Sequence, residues 1–188
     1  MAKLKSEQKR EDIINAAIEA IAELGLVAST AEIAKRAKIS SGSLFTYFST
    51  KNDLLNILYL EIKKEVLFLI VSKINTQKNL EEQFKQLWLS WIEWGVKNSS
   101  KRQVLEYLSV SDAITEETKK EVLFLQKEAL NLIQLISQNN VPGSIPFEYI
   151  CHIIESLAST TIKFIDKNND KNNEVSLFSL EVIRRIFN

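Results

Sequence analysis

Apolar positions in the first part of the chain recur at spacings of three and four. Ile13, Ala16, Ala17, Ala20, Ile21 and Leu24 form one such stripe and predict an amphipathic helix over residues 6–24. Gly25 follows directly and can adopt the left-handed conformation that stops a helix. Thr30 is placed to cap a short second helix over 31–37, with Ile33, Ala34 and Ala37 inward. Residues 38–42 read as a turn, and a third short helix continues to about residue 47, with Leu44 and Phe48 four apart on its inner side. Ser49 or Thr50 can cap a long fourth helix over 51–74. Five further helices are predicted at 80–97, 101–110, 116–137, 147–166 and 174–187. The breaks have physical causes: residues 139–146 hold both prolines, and residues 168–173 are Asn-rich.

Composition supports this pattern. Four glycines and two prolines in 188 residues leave few chain breakers, which favours long helices over a many-turned β fold. The expected fold is therefore all-α, with about nine helices. A three-helix helix-turn-helix domain (residues 1–51) is joined by the long fourth helix to a larger helical domain (residues 52–188). No sharp change in composition falls near residue 50, so that helix is expected to join the two parts rigidly.

Charge and special residues narrow the function. The formal net charge is zero, which argues against a nonspecific polyelectrolyte binder but leaves room for a local DNA contact. Residues 1–51 carry eight Lys/Arg against six Asp/Glu, a mildly basic balance. A single cysteine, Cys151, allows no internal disulfide, and the first residues are too polar to begin a secretory signal, so a cytoplasmic protein is expected. No apolar run reaches membrane-spanning length. With one histidine there is no His-based triad or cluster with metal-ligand spacing, and no Gly-rich phosphate loop is present. The adjacent Cys151 and His152 point about 100° apart on a helix and do not share a face. The expectation is a non-enzyme with no cofactor and no metal.

Two short helices joined by a tight turn and buttressed by a longer one describe a helix-turn-helix unit. Its second short helix must offer small or hydrogen-bonding residues to a major groove, and Ser41, Gly42, Ser43, Thr46 and Tyr47 do so. The block from Ile33 to Leu54, with Ile14, Ala16, Ala17, Gly25 and Thr30 upstream, resembles the signature of the tetracycline-repressor (TetR) family. The resemblance covers the first quarter to third of the chain. It implies DNA contacts by Thr30, Ser41, Gly42, Ser43, Phe45, Thr46, Tyr47 and Lys51. Thr30 would bring a helix N-terminus to phosphate, Tyr47 would donate its hydroxyl to phosphate, and Lys51 resembles the family's phosphate-binding lysine. Phe45 stands where the family usually has Tyr; its ring can touch a thymine methyl, but one phosphate hydrogen bond is lost. Lys38 stands where a turn glycine is common, so it must either adopt a positive φ or shift the turn.

Beyond the reader, all three tryptophans (Trp88, Trp91 and Trp94) lie on one predicted helix, with Phe84, Trp88 and Trp91 on one face. They either fill the core or line a ligand cavity. The resemblance implies a small-molecule effector pocket in this region, formed by Phe84, Trp88, Trp91, Glu106, Tyr107 and Phe124. It also implies dimerisation through the last two helices, by Ile150, Ile154, Leu157, Ala158, Thr161, Leu180, Ile183 and Phe187. Together these describe a homodimeric repressor on a palindromic double-stranded DNA operator, released by a small-molecule effector and with no membrane partner. The alternatives are a helical small-molecule carrier and a helical adaptor that does not bind DNA.

Overall fold

A computed structural model describes residues 2–138, 144–168 and 172–187, with the side chains of 2–5, 172 and 187 outside that description. Among the described residues the chain is all-α, with no strand. The helices are α1 (Ala2–Leu24), α2 (Thr30–Arg36), α3 (Ser41–Phe45), α4 (Lys51–Ser72), α5 (Leu80–Lys97), α6 (Ser99–Ser109), α7 (Glu116–Ser137), α8 (Phe147–Lys167) and α9 (Asn172–Phe187). A single 3-10 turn, Gly25–Val27, follows α1.

The helix starts follow from their capping residues. Asn79 caps α5 by accepting from the Glu82 N–H, and Thr115 caps α7 by accepting from the Thr118 N–H. At α4 the cap is Thr50, whose hydroxyl accepts from the Asp53 N–H at 3.0 Å while the Asp53 carboxylate accepts from the Thr50 N–H at 3.0 Å. This reciprocal pair satisfies two otherwise orphaned donors. At α2 the cap is Ser29, not Thr30. Ser29 is extended, and its hydroxyl accepts from the Glu32 N–H at 3.1 Å, which makes Thr30 the first helical residue.

Two residues occupy the left-handed region. Gly25 has φ 71° where α1 stops. Lys38, at φ 56°, takes the strained left-handed conformation in the turn between α2 and α3. Its N–H donates to Lys35 O at 3.1 Å and the Ile39 N–H donates to Ala34 O at 3.0 Å, the two bonds of a Schellman cap. For a residue with a Cβ this conformation costs about 1–2 kcal/mol.

The chain forms two compact units, Met1–Lys64 with Ser99–Val122, and Glu65–Asn98 with Leu123–Asn188. In the first, α1 packs on α2 and α6, and α2 on α3. Its core holds Ile13, Ala17, Ala20 and Ile21 from α1, Ile33 from α2, Leu44 from α3, Phe48, Leu54 and Leu58, with Val104 and Leu108 from α6. The residues expected to form a separate head, 1–51, thus share a core with helix α6, which is fifty residues further along. In the second unit α5 packs on α8 and α9, and α8 on α9. Its core gathers Phe84, Trp88, Ile92, Ile133, Ile150, Ile154, Ala158, Ile162, Ile165, Leu180 and Ile183. Gly95 lets α5 and α8 approach: a Cβ there would fall on the Ile162 side chain. No helix among the described residues is long and apolar enough to cross a membrane.

Candidate DNA-recognition surface

Helix α3 has one buried side and one open side. Leu44 and Phe48 are fully buried and seat the helix, while Ser41, Gly42, Ser43, Phe45 and Thr46 are exposed. The start of the helix is fixed by Ser40, whose hydroxyl accepts from the Ser43 N–H at 3.1 Å and pairs with the Ser43 hydroxyl at 2.8 Å. Thr46 donates its hydroxyl to Ser43 O at 2.7 Å. Ser43 and Thr46 therefore spend part of their hydrogen-bonding capacity on the helix and keep acceptor sites outward. Ser41 has no partner among the described residues. A Cβ at Gly42 would meet nothing nearer than Ser40 Oγ at 4.0 Å, so nothing within the chain requires glycine there. Tyr47 is half-buried, and Phe45 is 46% exposed, a large apolar ring on an otherwise polar face.

The cations of this unit are mostly committed. Arg36 pairs with Glu23 at 2.8 Å and Glu32 at 2.9 Å, and the hydrogen bonds it donates, led by that to Glu32, raise its guanidinium pKa above its ordinary value. Arg10 pairs with Glu61 and lies over the Phe48 ring at 5.7 Å, tying α1 and α4 to the residue that seats α3. Lys51 donates to Leu26 O at 2.7 Å, which ties the start of α4 to the turn after α1. Two of its three N–H donors remain for another acceptor.

These are the features of a helix-turn-helix whose second short helix presents an exposed, largely polar face. Residues 13–58 match the family model for bacterial regulatory proteins, tetR family. That match makes residues 13–58 similar to the helix-turn-helix segment of TetR-family regulators.

Solved structures share the fold over nearly the whole chain. A TetR family transcription regulator from Marinobacter aquaeolei VT8 is 17% identical with a TM-score of 0.88, covering 98% of this chain and 97% of its own. A protein from Shewanella sp. PV-4, described as a tetR family transcription regulator, is 20% identical with a TM-score of 0.81 and 95% coverage of each chain. The regulator FadR from Bacillus subtilis, solved with stearoyl-CoA, is 20% identical with a TM-score of 0.69, covering 94% of this chain and 97% of its own. At these identities the likeness is one of fold.

The other candidate residues lie on α5 to α9. Phe84 and Trp88 are both buried in the core of the second unit. Trp88 is fully buried, stacked on Phe84 at 6.3 Å and edge-on to Trp91 at 6.2 Å. Its indole N–H donates to Ser179 Oγ at 3.1 Å, and Ser179 donates onward to Ser176 O at 2.8 Å, so the buried polar groups are satisfied from within. Trp91 packs on the same core from its edge. Phe124, in the second unit, is 75% exposed. Glu106 and Tyr107 belong to the first unit, where Glu106 pairs with Arg102 at 3.2 Å and the Tyr107 hydroxyl accepts from Gln103 at 3.1 Å.

Of the expected interface residues, Ile150, Ile154, Ala158, Thr161, Leu180 and Ile183 are buried within their own unit, where α5, α8 and α9 meet. Leu157 lies half-buried at the edge of that core, and the Phe187 side chain lies outside the described residues. What α8 and α9 do present is a second apolar stripe: Tyr149, Ile153, Leu157 and Phe164 on α8, and Leu177 and Phe178 on α9. Along α8 it forms an open groove of about 380 Å³ that also includes His152, Ser156 and Thr160. Periodicity alone could not separate the two stripes, because α8 is apolar on both sides.

Proposed function

We propose that this chain is a TetR-family regulator, a homodimeric repressor that binds a palindromic operator and is released by a small-molecule effector. The carrying observation is the face of α3. Ser41, Gly42, Ser43, Phe45 and Thr46 stand exposed over the buried pair Leu44 and Phe48, and nothing within the chain calls for the bare backbone at Gly42. Such a face meets base edges and lets the backbone come close, while Tyr47, Lys51 and the start of α2 at Thr30 reach flanking phosphates. Functionally, residues 1–51 read DNA, and residues 52–188 carry dimerisation and effector response.

A single helix-turn-helix reads one half-site, and a symmetric pair reads a palindrome. The exposed stripe on α8 and α9 supports dimerisation, with Tyr149 at 59% and Phe178 at 69% exposure in the free chain. The effector is a small molecule by analogy with FadR and its stearoyl-CoA. It would act by preferring one separation of the two reading heads, and it can shift operator binding by no more than its differential affinity for the two states.

The test is fluorescence anisotropy of the full-length protein on duplex DNA from upstream of its own gene, against a scrambled duplex, across a salt series. Tighter binding to the native sequence that weakens with salt is expected. Equal affinity for both duplexes, or none for either, would overturn the reading.

A further inference from the structure

Among the described residues Lys38 is the single non-glycine with positive φ, at 56°. The two hydrogen bonds that close the end of α2 use only its backbone and that of its neighbours, so glycine would make them without the steric cost. Burial does not account for the side chain either. Lys38 is exposed, and its ammonium has no partner among the described residues.

The distribution of charge gives a second, independent observation. Among the cations of residues 6–51, Arg10 is paired with Glu61, Arg36 with Glu23 and Glu32, and Lys51 is bonded to Leu26 O. That leaves Lys9, Lys35 and Lys38 exposed and uncommitted. Of these, only Lys38 lies in the turn that enters α3, two residues before the Ser40 cap. A strained residue persists where the surrounding structure holds it, and such residues concentrate at functional positions.

We propose that Lys38 is a phosphate-contacting residue of the DNA reader, its ammonium carried at the mouth of α3 by the left-handed turn. This rests on the DNA-binding reading above and extends it to a position where the family's turn glycine could make no such contact. Phosphate contacts position a reader without selecting a sequence. Loss of Lys38 therefore weakens binding to native and altered operators alike, and flattens the salt dependence.

The experiment compares full-length wild type with Lys38→Gly, Lys38→Asn and Lys38→Arg. Anisotropy is measured on the native duplex and on one with a single altered base pair, across a KCl series, with urea unfolding in parallel. Lys38→Gly and Lys38→Asn are expected to lose about fivefold in affinity per reading head near ~0.15 M salt on both duplexes, with the log–log salt slope reduced by about 0.9 per head. Lys38→Arg should keep both. Lys38→Gly should also unfold at higher urea, which separates lost contact from lost fold. Wild-type affinity and slope in Lys38→Gly would overturn the proposal, as would equal losses in Lys38→Arg and Lys38→Gly. Wild-type protein that binds neither duplex would instead overturn the DNA-binding reading beneath it.

Discussion

A methyl group at position 42 would touch nothing closer than 4.0 Å, and the residue sits inside a helix. Within the chain, alanine should therefore be better than glycine, by up to about 1 kcal/mol of helix propensity. On the proposed DNA-binding reading, the same methyl occupies space that the backbone needs in the groove. Gly42→Ala is expected to raise the urea midpoint while weakening operator binding at least about tenfold, the equivalent of ~1.4 kcal/mol. Unchanged DNA affinity in a stabilised variant would return Gly42 to a purely local role. Cys151 illustrates a group held quiet by its surroundings. Partial burial, then the charges of Glu155 and Glu148, push its thiol pKa above the ordinary value. The folded state thus favours the protonated thiol. That contribution to stability is complete below the ordinary thiol pKa and is lost as pH rises through the raised one. Near pH ~8.5 iodoacetamide should modify the native protein more slowly than the urea-unfolded chain. Equal rates would show that the thiol is not shielded.

At the scale of elements, the periodic apolar runs are the most legible part of the sequence. Residues 80–97 and 116–137 coincide with α5 and α7, whose caps in the structure are Asn79 and Thr115. Thr30 was misassigned by one residue although Ser29-x-x-Glu32 carries the stronger pattern, a hydroxyl three residues before an acid. The contacts between elements left no local trace. Asn56 on α4 is the clearest case: its Nδ2 donates to Asn52 O and Ala113 O, each at 2.8 Å, and its Oδ1 accepts from the Thr115 N–H at 2.9 Å. One side chain thereby fastens α4 to the turn between α6 and α7, at a sequence separation of more than fifty residues. Asn56→Ala removes all three bonds and is expected to cost roughly 2–3 kcal/mol, at about 1 kcal/mol each. The Thr115 amide should also exchange hydrogen faster. A midpoint unchanged in urea would show that water replaces the amide without loss.

For the whole molecule, the sequence stripes identified which helices are amphipathic but not which neighbour each side meets. Ile154 and Ile153 are adjacent in the chain, yet one is buried inside the unit and the other lines the open groove. The same limit applies to Trp88, which the stripe leaves open between core and cavity; its indole cross-links α5 to α9 through Ser179. The outward stripe therefore carries the prediction for assembly. A Tyr149→Glu/Phe178→Glu double variant changes two exposed residues outside the core. It is expected to keep its helical circular dichroism, sediment as a monomer where wild type sediments as a dimer, and lose operator affinity. A wild type that sediments as a monomer at the same concentration would rule out this interface.

The first compact unit has a further consequence for anyone wishing to transplant the reader. Helix α6 contributes Val104 and Leu108 to the core that α1 builds with Ile13 and Ile21, and Asn56 fastens the turn that follows it. A fragment cut after residue 51 would carry the whole exposed face of α3 and expose a wall of apolar residues to water. With α3 as the proposed reader, specificity is not exchanged by splicing one continuous N-terminal piece onto a foreign body: a working chimera has to inherit residues 99–122 as well, or a recipient whose sixth helix already fits.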